Sequence, residues 1–253
     1  MRKQLNRSIS VGLIICLFFL QGFSKEKNDS INRSFKNTVK FNITNPALIS
    51  DQFITIEYER VLRNNQSFSI SLGKFSLPKF GLSFTDSLNL KKDYKDVGFH
   101  FAADYRFYLL QENRHNAPRG VYVGPYYTLN YLSRENQWEL NTTNFNGNVI
   151  SDLNVTINTI GFQLGYQFIF WDRLSLDLIL LGPGVGFYGL KTKLKTTLTP
   201  DDELLFFEKL NELLADKIPD YDKVIEPGEF AKKGNFKTTS VGYRYLVNIG
   251  FRF

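Results

Sequence analysis

The chain has 253 residues, with 31 Lys and Arg against 25 Asp and Glu and a formal net charge of +6. Phe (24) and Tyr (13) far outnumber Met (1) and Trp (2), and the sole cysteine is Cys16. A modest basic excess scattered along the chain makes no nucleic-acid interface, and one cysteine excludes disulfides and Cys-rich metal centres.

Arg2, Lys3 and Arg7 precede an apolar run from Ile9 to Leu20, and Gly22-Phe23-Ser24 supplies small residues before a cleavage point. That is the layout of a secretory signal peptide over residues 1–24, and the run is too short for a spanning helix. Cys16 follows Ile15 in mid-run, which opposes a lipid-attachment site. Cleavage would remove three positive charges and no negative ones, taking the net charge from +6 to +3. The remainder, 25–253, is expected to be one domain.

Period-2 alternation then recurs along the chain, the signature of strands with two unlike faces. Val39, Phe41 and Ile43 alternate with Lys40, Asn42 and Thr44; Ile54, Ile56 and Tyr58 with Thr55, Glu57 and Glu59. Phe68, Ile70 and Leu72 oppose Ser69, Ser71 and Gly73. Val97 to Phe107 sets apolar odd positions against His100, Asp104 and Arg106, and Val121 to Tyr131 opposes Tyr122, Gly124, Tyr126 and Thr128. Ile160 to Phe170 opposes Gly161, Gln163, Gly165 and Gln167; Leu174 to Leu180 opposes Ser175 and Asp177. The last segment is the clearest: Val241, Tyr243, Tyr245, Val247, Ile249, Phe251 and Phe253 share a face against Gly242, Arg244, Asn248, Gly250 and Arg252.

Eight such segments predict an all-β, eight-stranded antiparallel up-and-down transmembrane β-barrel. The short connections, Arg63 to Gln66 and Trp171 to Arg173, fall on one side by strand parity. The three longest, about 77–95, 133–152 and 191–235, fall on the other. Outer-membrane barrels show this asymmetry, with short periplasmic turns and longer outer loops. The reading places both termini in the periplasm. Two irregularities are expected: a β-bulge at Gly182-Pro183-Gly184, where the outward parity changes, and a similar shift near Asn158. In the last loop, Thr199 before Pro200 and Asp201, Asp202, Glu203 predicts a helix over 200–218. Phe206, Phe207, Leu210, Leu213, Leu214 and Ile218 would share one side of it.

A soluble barrel would turn the apolar face inward. Here the polar face is Gly, Ser, Thr, Asn and Gln with few charges, and the apolar face is aromatic toward strand ends, as interfacial girdles require. The inward set is then Lys40, Glu57, Glu59, His100, Asp104, Arg106, Asp177, Arg244 and Arg252, an interior polar network with bases expected from strands 1, 4 and 8. Eight strands enclose room for side chains rather than a pore.

Val247-Asn248-Ile249-Gly250-Phe251-Arg252-Phe253 resembles the C-terminal aromatic signal read by the outer-membrane assembly machinery, with Ile249, Phe251 and Phe253 as its apolar residues. The overall plan is similar to small OmpA- and OmpX-type barrels. Ile54 to Leu62, with Tyr58-Glu59-Arg60, and Gly120-Val121-Tyr122-Val123-Gly124 resemble an uncharacterised barrel family more narrowly. The resemblance implies a fold and a location in a Gram-negative outer membrane, with lipid and the assembly machinery as partners, and no activity. No second domain is expected after the last strand.

Catalytic signals are thin. His115 falls in a predicted periplasmic turn, and His100 would need Ser71 or Ser69 with a carboxylate to form a lipid-modifying site. No cofactor or metal ligand set is expected, and Gly182 to Gly189 lacks a phosphate loop's Lys-Ser/Thr. The expectation is a non-enzymatic barrel with an envelope-structural role or a loop-borne extracellular ligand. A narrow transporter of small or apolar solutes comes second, and a lipid-modifying enzyme third.

Overall fold

The computed structural model describes residues 35–76, 88–109, 115–141, 146–217 and 235–253. The expected leader, residues 1–24, lies outside them. Eight antiparallel strands run β1 (Asn37–Asn42), β2 (Ile54–Arg63), β3 (Gln66–Lys74), β4 (Leu88–Tyr108), β5 (Gly120–Asn141), β6 (Asn146–Phe170), β7 (Leu174–Leu194) and β8 (Asn235–Arg252). Each pairs with its sequence neighbours, and β1 pairs with β8 to close the barrel. Asn37 and Phe253 exchange backbone hydrogen bonds at 3.1 and 2.9 Å, so both chain ends lie at one rim.

That terminal rim is tied down tightly. The β2–β3 turn is two residues long, and the β6–β7 turn holds Trp171 and Asp172 at positive φ (48° and 59°). Just before β5, Ala117 N–H donates to Asn64 O of the β2–β3 turn (2.7 Å), and Ala117 packs on Tyr108 and Tyr122. At the far rim, β1 ends at Asn42 in a π-helical turn (Asn45–Ile49).

The far rim is uneven. β1 to β3 stop early, whereas β4 to β7 continue as a wall of 21 to 25 residues per strand. Residues 133–152, expected as a loop, are therefore mostly β5 and β6, paired from Ser133↔Asn154 to Asn141↔Asn146. Helix α1 (Pro200–Lys217) follows β7. Thr199 caps it, accepting at Oγ1 from Asp202 N–H (3.3 Å) and donating to Asp202 Oδ2 (2.6 Å). Its Phe206, Phe207 and Leu210 are buried against Trp138, Val149 and Leu190 of the wall. Ile218, expected on the same stripe, lies outside the described residues.

The bulge falls earlier than expected. Ile179 pairs with Leu246 and Gly182 with Arg244, so the extra residue lies at Leu180–Leu181, and both side chains point outward. Pro183 sits instead in a gap of the β6–β7 ladder, between Leu164↔Leu181 and Gly161↔Gly184, where its missing N–H costs no bond. The shift expected near Asn158 is absent. The ladder runs unbroken through Ile157↔Asn130, Asn158↔Leu129 and Thr159↔Thr128, and odd residues of β6 stay inward throughout. What changes there is the chemistry of the faces, not the backbone.

Below Asn158 the outward face is apolar: Ile160, Phe162, Leu164, Phe168 and Phe170 are exposed while Gln163 and Gln167 are buried. Above it the order reverses. Val149 and, in part, Val155 and Ile157 turn inward, while Asp152 and Asn154 turn outward. The neighbours agree. β5 buries Leu132 and Trp138 beyond outward Tyr127 and Tyr131, and β7 buries Leu190 just before outward Lys191 and Lys193. The barrel is thus apolar outside and polar inside over its terminal part; over its far part the outside is polar and the inside mixed, with Arg134, Asn136, Ser151 and Thr192 buried beside Leu132, Trp138, Val149 and Leu190.

Candidate functional site

The inside of the terminal part is a layer of charge. Lys40 (β1) reaches Asp177 Oδ2 at 2.7 Å, Glu59 Oε2 at 2.8 Å and Glu57 Oε1 at 3.1 Å. Arg106 (β4) spreads its guanidinium over three acids: Nε to Asp104 Oδ1 (2.7 Å), Nη1 to Asp177 Oδ2 (2.7 Å) and Nη2 to Glu57 Oε1 (2.8 Å). Period-2 pleating and strand stagger bring these six inward residues, from β1, β2, β4 and β7, to one level.

Neutral donors complete the acids. Tyr122 OH donates to Asp177 Oδ1 (2.7 Å), Tyr108 OH to Glu59 Oε1 (2.9 Å), Ser67 Oγ to Glu59 Oε1 (2.5 Å) and Gln163 Nε2 to Asp104 Oδ1 (2.5 Å). Ser69 donates to Asp104 as well. Gln167 bridges, donating from Nε2 to Glu59 (3.0 Å) and Ser175 (2.9 Å). Arg106 also lies over the Tyr122 ring, 4.8 Å from its centroid. A buried charge is tolerable only when paired and hydrogen-bonded, and here each one is.

Of the nine predicted interior residues, Lys40, Glu57, Glu59, Asp104, Arg106 and Asp177 form this network. The other three do not join it. His100 Nδ1 is 2.6 Å from Asn130 Oδ1 and its ring packs on Phe53, not on Asp104 or Glu57. Arg252 donates to backbone carbonyls, Phe35 O at 2.7 Å and Asp172 O at 3.4 Å, at the terminal rim. Arg244 stacks on Tyr126, 5.0 Å from the ring centroid. The expected bases from β8 therefore stay out, because Arg244 and Arg252 each stand four residues along the strand from Asn248, the residue paired with Asp177. Four carboxylates face two cations, a formal charge of −2 when all are ionised.

Among the neutral partners, Tyr108, Tyr122, Gln163 and Gln167 share the inward parity of the charges. Tyr108 and Tyr122 expose nothing, so their hydroxyls had to find acceptors inside. Of the two serines considered with His100 for lipid chemistry, Ser69 donates to Asp104, whereas Ser71 lines the same cavity as His100, whose ring is held by Asn130. Among the described residues no group of His, Cys, Asp and Glu has the arrangement of a metal site. Ile249, Phe251 and Phe253 all point outward at the terminal rim, 43 to 52% exposed.

Comparison with family models, with curated proteins and with solved structures finds no match.

Proposed function

We propose that the chain is an integral outer-membrane barrel, delivered by a cleaved signal peptide, with periplasmic termini and an envelope-structural or surface-binding role. The observation that carries this reading is the change of the outward face from apolar to polar at one level of the wall. Outward apolar residues run from Phe251 to Val241 on β8 and from Val121 to Tyr131 on β5. Ten residues at about 3.3 Å each, tilted by about 40°, give a band about 25 Å tall, the height of an outer-membrane apolar belt. Its far edge is marked by tyrosines tied to outward asparagines, Tyr127 to Asn158 (2.8 Å) and Tyr131 to Asn154 (3.0 Å). Beyond it lies an exposed ion pair, Lys195 with Glu135 (2.5 Å) and Asp152 (3.0 Å). At the other edge Tyr58 OH and Arg60 reach Asn37 (2.7 and 3.4 Å). Water on both sides of a lipid slab would select this order of residues.

The charge layer favours a structural role over a transporter. Lys40, Glu59, Arg106, Tyr108, Tyr122, Gln167 and Asp177 are each at most 1% exposed, so the barrel is filled across its section at their level. The wall and α1, standing beyond the belt, supply the surface for an outer ligand. The OmpA- and OmpX-type plan and the C-terminal aromatic residues agree with assembly by the outer-membrane machinery. The test is fractionation with gel migration: the protein should partition with outer membranes and migrate faster unheated than boiled. Recovery only in the soluble fraction contradicts the reading, and steady single-channel conductance would overturn the filled interior.

A further inference from the structure

Between the charge layer and the apolar cluster of Phe53, Phe75 and Leu132 the interior is not filled. A cavity of about 360 Å³ remains, within the size range of small-molecule sites; it is partly open, and outward Tyr243 and Tyr245 of β8 also line it. Two of its wall groups are buried donors with no acceptor among the described residues: Arg244 Nη1 and Asn248 Nδ2.

Neither is an accident of side-chain placement. Asn45 N–H donates to Asn42 Oδ1 (2.7 Å), which fixes the Asn42 amide so that its Nδ2 donates to Asn248 Oδ1 (2.6 Å). Asn248, 1% exposed, is thereby left with its NH₂ free in the chamber. Arg244 rests on the Tyr126 ring, whose hydroxyl is taken by Gly182 O (2.9 Å), and has no carboxylate partner among the described residues. The other charged group in the wall, Glu57, is occupied by Lys40 and Arg106. His100 is engaged by Asn130. A buried guanidinium nitrogen with no hydrogen-bond acceptor, on a half-buried arginine whose nearest acid is already held by Arg106, and a buried amide without an acceptor each carry a desolvation cost that a fitting ligand would relieve.

We propose that this chamber is a binding site for a small organic acid. Arg244 takes the carboxylate, for which a guanidinium is the matched donor, and Asn248 donates to a second acceptor at the ligand's other end. The two residues stand four apart on one face of β8, about 13 Å between Cα atoms along the strand, and both line the cavity. Tyr126, Tyr188 and Ile157 line it as well, which suits a flat or short apolar body between the polar ends. The inference rests on the barrel interior alone and holds whether or not the outer face meets lipid.

The probe is 4-hydroxybenzoate, titrated by calorimetry into the refolded full chain in detergent, with 4-hydroxybenzamide as the uncharged control and benzoate lacking the second acceptor. Saturable 1:1 binding of 4-hydroxybenzoate is expected, with both comparison compounds weaker. Arg244→Gln should weaken the acid on the order of 10-fold or more and leave the amide unchanged. Asn248→Leu should bring 4-hydroxybenzoate down to the level of benzoate. Thr128→Leu, which fills the chamber from β5, should abolish binding while Arg244 stays in place. Circular dichroism and gel migration identify any variant that fails to fold, and Thr128→Leu tests the site independently of both donors. No saturable heat with the native chain, equal binding of acid and amide, or an unaffected Arg244→Gln would each overturn the proposal and leave a chamber of water.

Discussion

Replacing Arg106 with Met tests how the charge layer holds the barrel. Met keeps much of the stem's bulk but removes the cation shared by Asp104, Asp177 and Glu57 at 2.7, 2.7 and 2.8 Å. The layer would pass from four carboxylates and two cations, formally −2, to four and one, formally −3. No acid is stripped bare: Asp104 keeps Ser69 and Gln163, Asp177 keeps Lys40 and Tyr122, and Glu57 keeps Lys40. The loss should therefore match one broken buried pair, about 3–5 kcal/mol, rather than the sum of three. At a urea slope of roughly 2 kcal/mol per molar, that is a midpoint lower by about 1.5–2.5 M. The assay is equilibrium urea unfolding of the refolded chain, followed by fluorescence and by the folded gel band. The double variant Arg106→Met with Asp104→Asn should recover part of the loss, since one uncompensated charge leaves with it. A shift below about 0.5 M in Arg106→Met would refute the claim that the layer is tightly paired.

Three further outcomes follow from the same geometry. Leu164→Arg, an outward change near mid-belt, should cost about 2–4 kcal/mol in lipid vesicles, and no loss there would argue against a lipid-facing surface. Gly165→Ala places a Cβ 2.3 Å from Tyr122 Cζ and 2.8 Å from Leu178 O. It should push the Tyr122 hydroxyl off Asp177, lowering stability by about 1–3 kcal/mol in urea unfolding. Tyr122→Phe, which keeps the ring, should then blunt the effect of Gly165→Ala only slightly, because the ring itself is in the way. Phe206→Ala should undock α1 from the wall and red-shift the emission of Trp138, whose ring centroid is 6.0 Å from that of Phe206. An unchanged spectrum would place the helix elsewhere.

Strand number, order and facing were readable from the sequence because alternation is a local property, and β8 carries it without a break from Val241 to Phe253. The helix after β7 was readable for the same reason, since its cap and acidic first turn are contiguous. The wall was not. In β5 and β6 the outward face turns polar while the pleat continues and the inward face becomes mixed, so 133–152 reads as a polar loop although Trp138 and Val149 are buried within it. The change of face chemistry at Asn158 imitates a change of backbone parity, and the true bulge at Leu180–Leu181 is hidden because both residues are apolar. Inward parity identified the charged residues, but their grouping depends on stagger between strands. Nothing near Arg106 reveals that Asp177, 71 positions later, is its partner, or that Arg244 and Arg252 stand at other levels.

The most direct measurement is a cysteine scan of β6 with a nitroxide label, in a Cys16→Ser background, on the chain refolded into lipid vesicles. Single cysteines at Ile160, Phe162, Leu164, Tyr166 and Phe168 should be relaxed by oxygen dissolved in the bilayer and shielded from a water-soluble nickel chelate. Labels at Asp152 and Asn154, on the same side of the strand beyond the belt, should show the opposite preference. Nickel access at all seven positions would contradict a membrane-embedded barrel.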